Sequence, residues 1–330
     1  MSIVKCKIIF FGTPNFAVPT LEALNEASAR GGQGFLSIKA VVTQPDKAVG
    51  RHHSQPIPSP VKQAAQALNL PVLEGLDSLR GIEADLGIVV AFGEILPQWI
   101  IDIFPLGIVN IHPSLLPKYR GTSPIQGAIL NQEKETGVTI IKLDDEMDHG
   151  PILAQQTVGA ENFLPLRETT AGELYDKLFQ MGADLLIKIL PDYIAGKIEL
   201  KPQDDSLATF TKKLSKEDGK IDWTKSPAEI AAHVRAMNPW PGAWTMWSPF
   251  AKASEDKKEK RLIVWKASLK RHPELVSGSI SEKDPDIRQD DVELCLEEVQ
   301  LEGKKKMAFT EFCKGHPDFK LSNLFSNAKS

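Results

Sequence analysis

Residues 106–121, LGIVNIHPSLLPKYRG, form an apolar run that ends in polar side chains and continues into a loop with two prolines. The run LGIVNIH is rich in β-branched residues and is typical of a buried strand. Asn110 and His112 stand two positions apart, and residues two apart on a strand point to the same face. We therefore expect the two side chains next to each other at the carboxyl end of a strand.

The first half of the chain alternates such runs with helical patterns. Strands are predicted at 8–12, 38–43, 85–92, 106–112 and 138–143, and helices at 16–24, 61–68 and 174–190. Near-continuous apolar strands between helices predict an α/β fold, a Rossmann-like, mostly parallel sheet with helices on both faces. Ligands of such sheets bind beyond the carboxyl ends of the strands, where residues 110 and 112 are expected.

The pattern changes near residue 207. Short strands are predicted at 221–223, 243–247, 261–267 and 291–301, a helix at 228–237, and a polar surface loop at 268–291. These elements predict a smaller, OB-like β-barrel domain. The expected organisation is a first domain at 1–190, a linker at 191–206 and a second domain at 207–330.

Composition excludes several classes of protein. The chain has 330 residues, 42% of them hydrophobic, which suffices for more than one domain. Its three cysteines are far apart and predict neither a disulfide framework nor a zinc knuckle. Because the sequence also shows no signal peptide and no apolar run of about 18 residues, we expect a cytoplasmic protein.

Charge is distributed unevenly along the chain. Residues 207–330 hold 22 Lys and Arg against 19 Asp and Glu, whereas the whole chain has a net charge of -4. A mildly basic second part is compatible with a polyanionic partner, although an ordinary solvated surface explains it as well.

The first strand lacks a complete dinucleotide-binding motif. FFGTPNF has Gly12 where a G-x-G-x-x-G motif would begin, but the second and third glycines are missing. A nicotinamide cofactor is therefore not expected. The GGQG at 31–34 lies between a helix and a strand and is typical of a plain turn.

Asn110 and His112 allow two interpretations. An amide N–H and an imidazole N–H that reach one oxygen can stabilise a developing oxyanion, and imidazole can also transfer a proton. Alternatively, the histidine is bonded to loop carbonyls and the asparagine closes the strand end. The two residues alone favour this structural alternative.

The loop after the strand favours a functional role. Ser114, Leu115, Leu116 and Pro117 place backbone donors and acceptors beside the pair, and proline stiffens the loop. Such a loop can present a fixed edge to a planar heteroaromatic ligand. Lys118 and Arg120 are expected to contact anionic groups of that ligand.

LDDEMDHGPIL, residues 143–153, supplies candidate carboxylates. Asp148 close to His112 would favour the charged imidazolium and orient the ring. The spacing alone does not select Asp148 over the acids at 144–146, and a solvated acidic turn is an equal alternative. A metal site formed by Asp148, His149 and His112 would need three convergent ligands and is not favoured.

A long polar loop, residues 43–62, follows the second predicted strand. Lys47 and Arg51 could contact phosphate there. A mobile, solvated loop explains the composition as well.

Together, these motifs resemble the folate-dependent formyltransferase family over nearly the whole chain. NIHPSLLPKYRG is similar to its Asn-x-His strand end and SLLP folate-site signature, and MDHGPI to its catalytic aspartate loop, which selects Asp148. FFGTPNFAVPTLEAL, TQPDKAVGR and NPWPGAW resemble the members that act on tRNA, and Arg51 matches their loop arginine. Residues 268–291 match no part of the family pattern.

The resemblance implies a function. The formyl group of 10-formyltetrahydrofolate would pass to the α-amino group of methionine on initiator tRNA. Asn110 and His112 would stabilise the oxyanion, and Asp148 would control the protonation of His112. Residues 114–117 would bind the folate, and Lys47 and Arg51 the tRNA. A monomer without metal is expected.

Two alternatives remain open at the level of sequence. One is formylation of an amino sugar nucleotide, which would use the same first domain and would not need Arg51. The other is a catalytically silent RNA-binding protein, whose RNA affinity would not change on replacing His112.

Overall fold

The computed structural model describes residues 5–29, 35–46, 56–159, 168–247, 259–271, 292–321 and 324–325. The chain divides into two compact units. The first comprises Met1–Pro124, Glu135–Val158 and Tyr175–Thr211, and the second Ile125–Lys134, Gly159–Leu174 and Lys212–Ser330. The boundaries expected from the sequence, at 190 and 207, stay a prediction.

A seven-stranded sheet forms the centre of the first unit. Its strands are β1 (Cys6–Gly12), β2 (Leu36–Thr43), β3 (Val72–Glu74), β4 (Leu86–Val90), β5 (Ile108–His112), β7 (Glu135–Lys142) and β8 (Ile152–Gly159). Their order is β3-β2-β1-β4-β5-β7-β8. Pairing is parallel from β3 to β5 and antiparallel between β5 and β7. The predicted mostly parallel α/β fold is confirmed.

Side chains of β1 show why the sheet is covered on both faces. Ile8 and Phe10 belong to one buried cluster, and Ile9 and Phe11 to the other, as alternation along a strand requires. The first cluster contains residues of α1 (Val18–Ala29), α2 (Pro60–Ala67) and α5 (Ala171–Ile194), and the second a residue of α3 (Gln98–Ile101).

Two strands of this sheet, β3 and β8, were not predicted, and the strands predicted at 85–92 and 106–112 were too long. No strand was predicted at β3 or β8, because β3 has only three residues and β8 carries polar, exposed side chains. The strand expected at 85–92 ends at Val90, since Ala91 adopts a φ of 47°, which a strand cannot accommodate.

The position of β5 fixes the site. Asn110 pairs with Val89 of β4 on one side and with Ile141 of β7 on the other. A strand between two neighbours has its backbone groups satisfied, so its last residues are held firmly. A short strand β6 (Arg120–Gly121) follows and pairs in parallel with β9 (Phe210–Thr211).

The second unit contains a four-stranded antiparallel sheet. Its strands, in order, are β10 (Ala243–Trp247), β11 (Lys260–Arg271), β12 (Val292–Leu301) and β13 (Met307–Ala308). The helices are α6 (Pro227–Ala236), α7 (Phe309–Gly315) and α4 (Pro124–Leu130), which begins at the boundary of the two units. The smaller β domain expected from the sequence is confirmed.

Helix α6 begins where its sequence dictates. Ser226 and Glu229 form a capping box, and Pro227 occupies the first turn. This arrangement satisfies backbone N–H groups that have no partner inside the helix.

Two predictions for the second unit were wrong. Residues 221–223 form no strand, because the side chain of Asp222 accepts hydrogen bonds from the N–H and hydroxyl of Thr224 and starts a turn. Residues 268–271, expected in a loop, extend β11, where Arg271 pairs with Val292. The rest of the predicted loop lies outside the described residues. None of the helices in the described part of the chain has the length and apolar character needed to span a bilayer.

We expect Gly182→Ala to destabilise the first unit. A Cβ there would lie 2.5 Å from Ile111 Cγ2 and 3.1 Å from Val138 Cγ2. Alanine favours a helix by about 1 kcal/mol over glycine, but overpacking a core costs about 1–3 kcal/mol, so we expect a net loss of up to about 2 kcal/mol. Urea unfolding measures it, with exposed Lys188→Ala as the control in the same helix. Equal or greater stability of Gly182→Ala would contradict the packing argument.

Candidate active site

Three polar side chains meet at the carboxyl end of β5. Asn110 Nδ2 and His112 Nδ1 each lie 3.5 Å from Asp148 Oδ1, and Asp148 comes from the loop between β7 and β8. The pleat of β5 places the amide and the imidazole on one face, as the spacing predicted. They converge on a single oxygen, which in this structure belongs to Asp148.

The histidine ring is buried and oriented by the loop that follows it. His112 Nε2 lies 2.9 Å from the carbonyl oxygen of Tyr119, and the side chain is only 5% exposed. A carbonyl only accepts hydrogen bonds, so Nε2 carries a proton and donates it. Nδ1 is then the ring nitrogen that faces Asp148 and can exchange a proton with it. The structural alternative, bonding to a loop carbonyl, thus holds for one ring nitrogen.

Asp148 has an unusual backbone conformation. Its φ is 52°, which aspartate adopts far less readily than glycine. Its Oδ2 accepts a hydrogen bond of 2.8 Å from the backbone N–H of Gly121, and its side chain is 14% exposed. Such a conformation persists only where the surroundings over-determine it. The carboxylate is therefore fixed beside His112 by its neighbours.

The SLLP loop is held by hydrogen bonds from the sheet as well as by proline. Thr139 Oγ1 donates to the carbonyl of Ser114 at 2.7 Å and accepts from the N–H of Leu116 at 3.1 Å. Gln155 Nε2 donates to the carbonyl of Leu116 at 2.7 Å. Ser114 and Leu116 are buried, whereas Leu115 and Pro117 are partly exposed. The Leu116–Pro117 peptide bond is cis.

The side chain of Arg120 is buried and bonds to other residues of this protein. Its side chain is 4% exposed, and its guanidinium donates to Gln203 Oε1 and, at 2.6 Å, to Asp205 Oδ1. A buried guanidinium needs such partners. The expectation that Arg120 contacts anionic groups of a ligand was therefore wrong. Lys118 is exposed beside it.

His149, next to Asp148 in the sequence, contacts two other carboxylates. Its Nδ1 donates to Asp144 Oδ2 at 2.6 Å, and its Nε2 lies 3.4 Å from Asp205 Oδ2. The hydrogen bond to Asp144 raises the pKa of His149 above its usual range, and burial opposes this. The bond from Arg120 lowers the pKa of Asp205. Within the part of the chain that the structure describes, no three acids, histidines or cysteines are grouped as a metal site.

Several residues of this site gave no signal in the sequence. Backbone groups of Tyr119 and Gly121 hydrogen-bond to the side chains of His112 and Asp148. The side chain of Gln203 bonds to the backbone of Asp148 from more than 50 positions away. No local pattern encodes such contacts, since they depend on the tertiary path of the chain. Lys47 and Arg51, the predicted tRNA contacts, lie outside the described residues.

Comparison with known families and proteins gives a consistent result. Residues 6–190 match the formyl transferase family, and residues 213–317 match the formyl transferase C-terminal domain. A methionyl-tRNA formyltransferase of Chloroflexus aggregans is 50% identical over 249 residues, covering 73% of this chain and 76% of that protein. One of Roseiflexus castenholzii is 41% identical over 325 residues, covering 94% of this chain and 96% of that protein.

A solved structure shares the fold. An N-formyltransferase of Helicobacter canadensis, crystallised with folinic acid and dTDP-3-aminofucose, superposes with a TM-score of 0.56. The two sequences are 22% identical, and the match covers 78% of this chain and 95% of that one.

We expect the charges around His149 to make stability depend on pH. Its folded pKa is raised above the unfolded value of about 6.5, so its contribution is complete below that pH and is lost as the pH rises through the folded pKa. The difference in unfolding free energy between wild type and His149→Gln should be largest near pH 6 and shrink toward pH 9. Urea unfolding across this range measures it. A difference that does not vary with pH would contradict the assignment.

Proposed function

Because this chain belongs to the formyl transferase family, we propose that it transfers the formyl group of 10-formyltetrahydrofolate to the α-amino group of methionyl initiator tRNA. The observation that carries the proposal is the likeness to methionyl-tRNA formyltransferases, 41% identity over 94% of the chain. The convergence of Asn110, His112 and Asp148 supports the chemistry. The product, formylmethionyl-tRNA, serves translation initiation.

The residues at the end of β5 fit a formyl-bearing folate. A formyl group needs donors for its oxygen and a route for protons, and Asn110 and the His112–Asp148 pair offer both. A pterin needs a firm, partly apolar edge, which residues 114–117 provide with Leu115 and Pro117 partly exposed. The folate supplies the formyl group as a co-substrate, and we propose that no metal takes part.

We assign Asn110 to the oxyanion. Attack of the neutral α-amine on the formyl carbon moves negative charge onto the formyl oxygen. Asn110 is only partly buried, and its amide has two N–H groups, of which one faces Asp148. The other can donate to the formyl oxygen. Such a donor contributes about 3 kcal/mol to transition-state stabilisation.

We assign proton transfer to His112 and Asp148 together. The attacking nitrogen must lose a proton, and N10 of the departing tetrahydrofolate must gain one. Nδ1 of His112 faces Oδ1 of Asp148, so a proton taken up by this pair can be shared and passed on. Tyr119 keeps the ring from turning, because its carbonyl holds Nε2. General acid–base catalysis of this kind contributes about 10²–10⁴-fold in rate.

The remaining assignments stand on the sequence. Lys47 and Arg51 would contact the tRNA phosphates. Residues 207–330 would form the tRNA-binding domain after a linker at 191–206, and the protein would act as a cytoplasmic monomer.

We expect Asn110→Ala, His112→Ala and Asp148→Asn to lower kcat for formylmethionyl-tRNA synthesis by about 10²–10³-fold each, because the first two remove a polar group and the third removes the charge that the proton transfer needs. Purified variants are assayed with 10-formyltetrahydrofolate and methionyl initiator tRNA. Gln66→Ala, which removes an exposed amide on α2, is the control and should keep wild-type activity. An inactive wild type, beside an active reference enzyme, would reject the proposed function. Activity on an amino sugar nucleotide instead would favour the other acceptor.

Arg51→Ala and Lys47→Ala should act on tRNA binding rather than on chemistry. Loss of one phosphate contact should weaken tRNA binding several-fold and reduce the slope of log Kd against log salt by about one. Filter binding at a series of salt concentrations measures both. A fall in kcat with unchanged tRNA affinity would show that these side chains have another role.

A further inference from the structure

Gln203 occupies a position that links two parts of the site. Its Oε1 accepts hydrogen bonds from Arg120 Nε at 3.1 Å and Nη2 at 2.9 Å. Its Nε2 donates to the carbonyl oxygens of Asp148 and Gly150, each at 2.8 Å. All four hydrogen-bonding positions of the amide are used.

The partners of Gln203 leave no choice of its orientation. Guanidinium nitrogens only donate, and carbonyl oxygens only accept, so the amide oxygen must face Arg120 and the amide nitrogen must face the loop. One of these carbonyls belongs to Asp148, whose backbone is left-handed, and the other belongs to Gly150, two residues later. Tying both to one rigid group fixes the direction in which the Asp148 side chain leaves the loop.

The 201–211 segment, which carries Gln203, lies along the residues that serve the site. Lys201 exchanges backbone hydrogen bonds with Ile152, just after the Asp148 loop. Thr209 accepts two hydrogen bonds of 2.8 Å, from the N–H of Tyr119 at its Oγ1 and from the N–H of Arg120 at its carbonyl. The segment is therefore hydrogen-bonded to both loops that bound the site.

Three consecutive residues, 119–121, connect the 201–211 segment to the proposed catalytic groups. The carbonyl of Tyr119 holds His112, the side chain of Arg120 holds Gln203, and the N–H of Gly121 holds Asp148. Gly121 lies so close to Thr211 of the segment that an added Cβ would overlap the carbonyl of Thr211.

We propose that Gln203 is a positioning residue of the formyl-transfer site, which aligns the Asp148 carboxylate with His112 by bridging Arg120 to the backbone of the Asp148 loop. The proposal rests on the proposed function for the meaning of that alignment. It assigns a role in catalysis to a stretch whose sequence indicated a linker between domains.

Gln203→Glu distinguishes the contact with Arg120 from the contact with the Asp148 loop. A carboxylate keeps the contact to Arg120, as an ion pair, but it turns an acceptor toward the carbonyls of Asp148 and Gly150. Gln203→Met keeps the length of the side chain and loses both contacts. Glu199→Gln makes the reverse exchange at an exposed position nearby and is the matched control.

We expect Gln203→Glu to lower kcat at least about tenfold, since small displacements of a reacting group have effects of this order. The KM for folate and for tRNA should stay within about threefold, and the Tm should stay close to that of wild type. Gln203→Met should show the same fall in kcat, and Glu199→Gln no change. An unchanged kcat, or a fall no larger than the loss of folded protein, would overturn the proposal.

A second readout does not depend on activity. The N–H of Gly121 donates to Asp148 Oδ2, so its hydrogen exchange reports whether the carboxylate is in place. Exchange at Gly121 should be about tenfold faster in Gln203→Glu than in wild type or Glu199→Gln. Unchanged exchange at Gly121 would overturn the positioning role even if the wild type proved inactive on tRNA. An inactive wild type with the expected change in exchange would reject only the proposed function.

Discussion

The structure of this site depends on how one short loop is held. Asp148 adopts a left-handed backbone conformation, which costs about 1–3 kcal/mol for a residue that is not glycine. Its carboxylate receives the N–H of Gly121, and its carbonyl receives the amide of Gln203. Each of these hydrogen bonds is worth about 1 kcal/mol or somewhat more where a charge is involved, so together they are of the size needed to offset the strain. With neither of them, we would expect the loop to relax and the carboxylate to leave His112.

The contacts of His112 explain how its ring can take part in chemistry although it is buried. A buried imidazole with both nitrogens bonded to carbonyls would be structural only. Here one nitrogen is bonded to the carbonyl of Tyr119 and the other faces a carboxylate at 3.5 Å. A carboxylate, unlike a carbonyl, can take up a proton as well as share one, so Nδ1 faces a partner able to take part in proton transfer. The orientation of the ring is fixed on one side, and its chemistry is available on the other.

Charges around the site contribute in different ways. Arg120 is buried, so the loss of Gln203 or Asp205 would leave its guanidinium with fewer hydrogen-bond partners, which is costly. His149 and Asp144 are each about one-third exposed, and water screens their attraction. The contacts of Arg120 therefore determine the geometry of the site. The contact between His149 and Asp144 affects stability, and its contribution depends on pH.

The sequence by itself determined the parallel sheet, the position of Asn110 and His112 on one face of a strand, and the family that the chain resembles. These follow from local rules, because apolar runs, helical periodicity and the two-residue repeat of a strand are all written in neighbouring positions. The family resemblance selected Asp148, but only the tertiary structure showed that its Oδ1 lies 3.5 Å from both the amide and the imidazole. It also decided that Arg120 bonds inside the protein and that residue 203 contacts the loop at residue 148. Those contacts join segments tens of residues apart, and hydrogen bonds between such segments depend on the folded path of the chain, which no local pattern records.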